Sequence, residues 1–190
     1  MVSGGSGSGK SEYAEDITVQ LQQSVKEKSL IYIATMMPFD EEAQEKIKRH
    51  RYMRKEKGFV TKECYTGLKE IDLPEHSTVL LDCMSNLTAN EMFQEQGAKV
   101  HTVEEVIRGI DVLLQRCANL VVVTNEIFSD GCIYDDTTTE YICYLGKINQ
   151  EMAKRAEQVV EVVCGIPIYH KREKYSSQYF NALLKRGSAD

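Results

Sequence analysis

Eight residues near the start of the chain, Gly4-Gly5-Ser6-Gly7-Ser8-Gly9-Lys10-Ser11, fit the spacing G-x-x-x-x-G-K-[ST] of a phosphate-binding loop. Each fixed position has a mechanical reason. Glycines at 4, 5, 7 and 9 let the backbone curl until successive N–H groups point inward at an anion. Lys10 supplies a point charge for β- and γ-phosphates, and the Ser11 hydroxyl suits Mg²⁺. A helix opening at Lys10 turns its positive end toward the same anion. The competing reading, a flexible Gly/Ser linker, is disfavoured by Lys10-Ser11 and by the helix-compatible Glu12-Tyr13-Ala14-Glu15-Asp16-Ile17 behind them. Such a loop should follow a buried strand, yet only Met1-Val2-Ser3 precede it. That strand is expected to be very short, to begin inside a longer natural start, or to be absent.

A second reactive stretch is Ile47-Lys48-Arg49-His50-Arg51-Tyr52-Met53-Arg54. Arginine forks match phosphate oxygens, so Arg49, Arg51 and Arg54 are candidates for a triphosphate. An imidazole among cations is held toward its neutral, nucleophilic form. On spacing alone, a solvated basic helix face with an idle histidine is the stronger reading. Asp82 directly follows the apolar Val79-Leu80-Leu81, as a carboxylate holding Mg²⁺ through water would in a phosphoryl-transfer site. Thr124-Asn125-Glu126 ends another apolar run. It either caps a turn or brings Glu126 to a metal or a substrate hydroxyl. His76 reads as a turn residue, His101 and His170 lack evident partners, and no two histidines have metal-ligand spacing.

The elements that must position these groups alternate along the chain. Apolar runs at 30–35, 79–82, 120–124 and 159–164 read as strands buried on both faces, the last closed by Gly165-Ile166-Pro167, and 59–64 adds a short one. Helical patterns lie near 10–26, 40–56, 86–96, 103–117 and 136–157. Asp40 opens the second with Glu41 and Glu42 in its first turn, and arginines gather at its other end. Strands separated by helices imply parallel pairing with helices on both faces. The expectation is a single α/β domain of the P-loop NTPase type, with a mostly parallel sheet, over residues 1–170. Residues 171–190 form a polar C-terminal tail, solvated or packed on a neighbouring subunit.

Composition narrows the partners. At 190 residues the chain can bury a substantial core without metals or disulfides. A formal net charge of −6 gives no basic field for nucleic acid. No basic-then-apolar leader and no membrane-length apolar run occur. Six scattered cysteines without a C-x-x-C pair fit reduced thiols in a cytoplasm, five of them in or beside segments where Cys acts as a small hydrophobe.

Taken in order, the loop, Tyr32-Ile33-Ala34-Thr35, Ile47-x-x-His50-Arg51, Leu80-Leu81-Asp82-Cys83, Asn86-Leu87-x-Ala89-Asn90-Glu91-Met92-Phe93, Val123-Thr124-Asn125-Glu126, Asn149-Gln150 and Gly165-Ile166-Pro167 resemble one family. It is the bifunctional adenosylcobinamide kinase / adenosylcobinamide-phosphate guanylyltransferase family of cobalamin biosynthesis, and the match runs from about residue 3 to 171. The resemblance implies a RecA-like P-loop fold, a homotrimer with the active site near a subunit boundary, and two reactions. ATP or GTP phosphorylates the aminopropanol hydroxyl of adenosylcobinamide. GTP then gives GMP to a histidine, and the guanylyl group passes to adenosylcobinamide phosphate, yielding adenosylcobinamide-GDP. The family histidine falls on His50, so that His50 and Lys10 are the expected catalytic residues. Nucleotide contacts are expected at Gly4 to Ser11, Ala34, Thr35, Met36, Arg49, Arg51, Arg54, Glu63 and Asp82, and Mg²⁺ at Ser11 and Asp82.

This chain also departs from the family pattern. After Glu126 the family usually has a Val-Gly-x-Gly-Ile-Val-Pro-like loop and then Arg-x-Phe-Arg-Asp. Here residues 127–134 read Ile-Phe-Ser-Asp-Gly-Cys-Ile-Tyr and 141–146 Tyr-Ile-Cys-Tyr-Leu-Gly. Both arginines and the proline are missing, and Gly7 stands where many members carry Arg. Three alternatives follow: one activity only, a different acceptor hydroxyl, or a nucleotide-binding protein with vestigial turnover.

Overall fold

Seven strands form one sheet in the order β3 (Val60–Glu63), β2 (Leu30–Ala34), β4 (Thr78–Asp82), β5 (Asn119–Val123), β1 (Val2–Ser3), β6 (Gln158–Val163) and β7 (Ile166–Arg172). This computed structural model describes residues 1–26 and 29–172, apart from the side chains of residues 42, 46 and 53. The first six strands run parallel, and β7 pairs antiparallel with β6. Five helices connect them: α1 (Lys10–Gln23), α2 (Glu41–Arg54), α3 (Met84–Phe93), α4 (Thr102–Arg116) and α5 (Asp136–Arg155). The expected mostly parallel α/β architecture is what forms.

Side-chain alternation along the strands sorts the core into two layers. Ile31, Ile33, Val79, Leu81 and Val122 pack on one face against Met84 and Leu87 of α3, Ile110 and Leu113 of α4, and Leu145 and Ile148 of α5. Tyr32, Leu80, Val121 and Val123 pack on the other, with Ala14 and Ile17 of α1. The β2–β4 register aligns Tyr32 with Leu80 and Ala34 with Asp82. By the same parity Asp82 shares the Tyr32 face, the side that α1 covers.

The strand before the phosphate loop is only two residues long, yet it lies inside the sheet, with Val2 buried between β5 and β6. Neighbours on both sides make up for its length: Thr124 donates its N–H to the Val2 carbonyl, and Val160 to that of Met1.

The Gly165-Ile166-Pro167 segment corrects the sequence reading. It does not close the last strand; Cys164 and Gly165, at φ of 51° and 80°, form a two-residue hairpin turn and Ile166 opens β7. Pro167 hid this strand, because proline within a run argues against sheet pairing except at an edge, which is where β7 lies. Lys171 and Arg172, assigned to the tail, belong to β7; the remainder of the tail, 173–190, lies outside the described residues. His170 has a partner after all, with its Nε2 2.9 Å from Glu161 Oε2 across the hairpin. Cys64 and Cys83 are buried, but Cys132, Cys143 and Cys164 are exposed, so fewer thiols serve as core than the sequence implied. Among the described residues, no helix is long and apolar enough to cross a membrane.

Candidate active site

The phosphate loop is shaped by close backbone packing. Gly7 and Gly9 take φ of 72° and 90°, a region costly for any residue with a Cβ. A Cβ on Gly4 would stand 2.6 Å from both the Val162 carbonyl and Ser8 Oγ. The β6–β7 turn braces the loop from behind: Gly165 donates its N–H to the Ser8 carbonyl at 2.9 Å. Lys10 is buried, and its ammonium curls back to the Gly5 carbonyl at 3.0 Å. Gly9 stands at the N-cap of α1, so Ser11 lies in the helix's first turn.

A cleft lies along the same sheet edge, lined by Tyr32, His50, Arg51, Arg54, Glu63 and Asp82 together with Ala34, Met36, Ile47 and Asn86. Helix α2 presents residues 47, 50, 51 and 54 here, the i, i+3, i+4, i+7 stripe of one face. Asp40 caps this helix by accepting the Ala43 N–H at 2.7 Å. Arg49 falls off the stripe and is exposed away from the cleft lining, so the structure does not bring it together with His50 and Arg54.

Asp82 is the hub of the cleft. Its Oδ2 accepts the Tyr32 hydroxyl at 2.9 Å and lies 3.8 Å from His50 Nδ1. Burial, and then the Asp82 charge, push the Tyr32 phenol well above its usual range, so it stays a donor. Arg54 stacks its guanidinium 3.4 Å from the Tyr32 ring centroid and is only 6% exposed. Among the described residues, its Nε and Nη1 are buried without a hydrogen-bond acceptor. A buried cation with unsatisfied donors at a cleft wall is built for an anion. Arg51 is committed differently, pairing with Glu63 Oε1 at 2.9 Å, while Tyr65 donates to Glu63 Oε2 at 2.8 Å. Glu63 is thus an exposed carboxylate at the lip of the cleft.

Thr35 does not reach the cleft. It is fully buried, accepts the Cys83 N–H and donates to the Cys83 carbonyl, both at 2.8 Å, while Asn90 donates to the Thr35 carbonyl. It ties the ends of β2 and β4 and so holds Asp82 in place; Ala34 and Met36 do line the wall. Each residue of Thr124-Asn125-Glu126 holds a structural contact. Thr124 donates to Asn149, Asn125 to Ser85, and Glu126 accepts Phe128 N–H and Ser129 hydroxyl while its own N–H supports the Gly4 carbonyl.

Three residues of this region escaped the sequence reading. Tyr32 was legible as one aromatic in an otherwise aliphatic strand, two positions before Ala34. Glu15, four residues after Ser11 on α1, is fully buried and accepts the Lys57 ammonium at 2.9 Å, and Lys57 also reaches Asp16 at 2.7 Å. Burial raises the Glu15 carboxyl above its usual range, opposed chiefly by Lys57. The signal was an acid on the helix side of Ala14 and Ile17, but its cation comes from 42 residues away.

Comparison with known proteins identifies the family. Residues 1–169 match the family described as cobinamide kinase / cobinamide phosphate guanyltransferase. The bifunctional adenosylcobalamin biosynthesis protein CobU of Escherichia coli is 30% identical over 183 residues, covering 88% of this chain and 97% of that protein. CobU of Salmonella typhimurium is 29% identical with the same coverage, and CobP of Pseudomonas aeruginosa 23% identical over 91% of this chain and 97% of its own. This chain belongs to the cobinamide kinase / cobinamide phosphate guanyltransferase family.

Proposed function

We propose that this protein phosphorylates the aminopropanol hydroxyl of adenosylcobinamide with ATP or GTP, then transfers GMP from GTP to the product through His50. The observation that carries the second half is the constellation of His50, Asp82 and the anion-hungry Arg54 in one cleft. In the kinase step the substrate hydroxyl attacks the γ-phosphorus, a nucleoside diphosphate leaves, and the loop N–H groups with Lys10 hold the β- and γ-phosphates. In the guanylyl step His50 attacks the α-phosphorus of GTP. An N–P bond forms, the bond to the bridging oxygen breaks, and pyrophosphate departs toward Arg54. A phosphate oxygen of adenosylcobinamide phosphate then attacks the same phosphorus and releases the imidazole.

Ser11 and Asp82 are hard oxygen donors of the kind Mg²⁺ accepts while keeping part of its water shell. Among the described residues, no three His, Cys, Asp or Glu side chains gather as a metal cage. Ser11 and Asp82 would hold such a cation, which would supply charge neutralisation for the leaving group. The family resemblance supports a homotrimer working in the cytoplasm, and light scattering of the purified chain measures the oligomer.

The test is incubation with α-³²P-GTP and Mg²⁺, then denaturation and peptide mapping. An acid-labile, base-stable label on the His50 peptide is expected. His50→Ala should abolish it and spare phosphorylation of adenosylcobinamide. Nucleotide binding without label refutes the histidine step and leaves a kinase or a nucleotide-binding protein.

A further inference from the structure

Tyr32 is only 3% exposed, yet its polar and aromatic parts both serve the cleft. The hydroxyl donates to Asp82 Oδ2, the same oxygen that faces His50 Nδ1. The ring carries the Arg54 guanidinium on one face, and Phe59 meets it edge-on with centroids 6.1 Å apart and planes at 82°. A tyrosine held only for packing would send its hydroxyl to backbone or solvent. This one is fixed between the carboxylate beside the histidine and the cation with unpaired donors.

Resting on the reading of His50 as the GMP acceptor, we propose that Tyr32 is the positioning residue of the guanylyl-transfer site, its hydroxyl aiming Asp82 at His50 and its ring holding Arg54 for the polyphosphate. The chemistry divides between its two ends. A carboxylate on the Nδ1 side favours the tautomer that carries its proton there, which places the lone pair on Nε2. As Nε2 bonds to the α-phosphorus, the bond from that phosphorus to the bridging oxygen breaks and pyrophosphate takes the electron pair. The Nδ1 proton stays on the ring, and the positive charge that develops there is stabilised by Asp82. The Tyr32 hydroxyl shares Oδ2, fixing the carboxylate's rotation and moderating its charge. Arg54 meets the departing anion, and without the ring beneath it a long side chain would lose that orientation.

The two functions separate in two variants. Tyr32→Phe retains the ring, so GTP affinity by calorimetry should stay within about twofold, while the rate of His50 labelling at pH 7 falls about tenfold. Tyr32→Leu removes the ring as well, and GTP affinity should also fall, about tenfold. Thermal melts of both variants establish that each is folded at the assay temperature. Should the leucine variant not fold, the phenylalanine variant alone decides. Labelling by Tyr32→Phe at the wild-type rate overturns the proposal, as does a folded leucine variant with wild-type affinity. A wild-type chain that binds GTP without labelling refutes the histidine reading and removes this proposal with it.

Discussion

Lys57→Met probes the link between the phosphate-loop helix and the segment that follows the histidine helix. Lys57 donates to Glu15 Oε2 at 2.9 Å and to Asp16 Oδ1 at 2.7 Å, and the Glu15 side chain is fully shielded from water. Removing one partner of a buried pair leaves a charge that here only the nearby Arg54 still offsets, at a cost of about 3–5 kcal/mol. The contact with half-exposed Asp16 adds under about 1 kcal/mol. Glu15 relieves part of this by protonating, because burial already raises its carboxyl pKa above 4.5. A net loss of about 3 kcal/mol at pH 8 is therefore expected, or roughly 6–12 °C in Tm for a chain of this size. The sign of the pH dependence is fixed. A carboxyl whose folded pKa is raised binds more protons folded than unfolded, so stability falls as pH rises above 4.5. Losing Lys57 raises that pKa further. The deficit of the variant should thus shrink toward pH 5 and grow toward pH 8. Urea unfolding of both proteins across that range is the assay. In the double variant with Glu15→Gln, most of the loss should be recovered. A deficit below about 1 kcal/mol at pH 8, or one independent of pH, would refute the reasoning.

Other perturbations test other links. Gly4→Ala drives a Cβ into the Val162 carbonyl, so stability should fall by about 1–3 kcal/mol and ATP affinity more than tenfold by calorimetry. Glu91, buried in α3, accepts the N–H groups of Gly67 and Ala98; Glu91→Ala should cost about 2–5 kcal/mol in urea unfolding through two orphaned donors. Native alkylation with iodoacetamide, counted by mass spectrometry, should modify Cys132, Cys143 and Cys164 quickly. It should spare Cys64 and Cys83, which are buried, and lag at Cys117, whose thiol burial pushes up to about 11.

Strands β2, β4, β5 and β6 were legible because each is a short, nearly unbroken apolar run, the mark of a strand covered on both faces, whereas β3 is a polar, exposed edge strand. Strand β7 was not, because an edge strand with Pro167 and alternating polar residues carries little of that signal. Strand β1 was equally obscure, since two residues hold no periodicity and its burial comes wholly from its neighbours. The three arginines near His50 look equivalent by composition. Helical geometry separates them, leaving Arg49 outside, Arg51 paired with Glu63, and Arg54 buried with donors to spare.

By itself the sequence determined the phosphate loop and the parallel α/β class, and its motifs in order pointed to the family. The first two rest on local spacing, glycines for a curled backbone and apolar runs for strands, whereas the role of His50 came only with the resemblance. Only the tertiary structure decided which of those residues meet. Asp82 joins His50 and Tyr32 because β2 and β4 are adjacent in a register that aligns Ala34 with Asp82. Glu15 finds Lys57 because α1 and the end of α2 converge on the same face of the sheet. Contacts between residues that lie tens of positions apart depend on strand order and register, and no local pattern along the chain encodes either one.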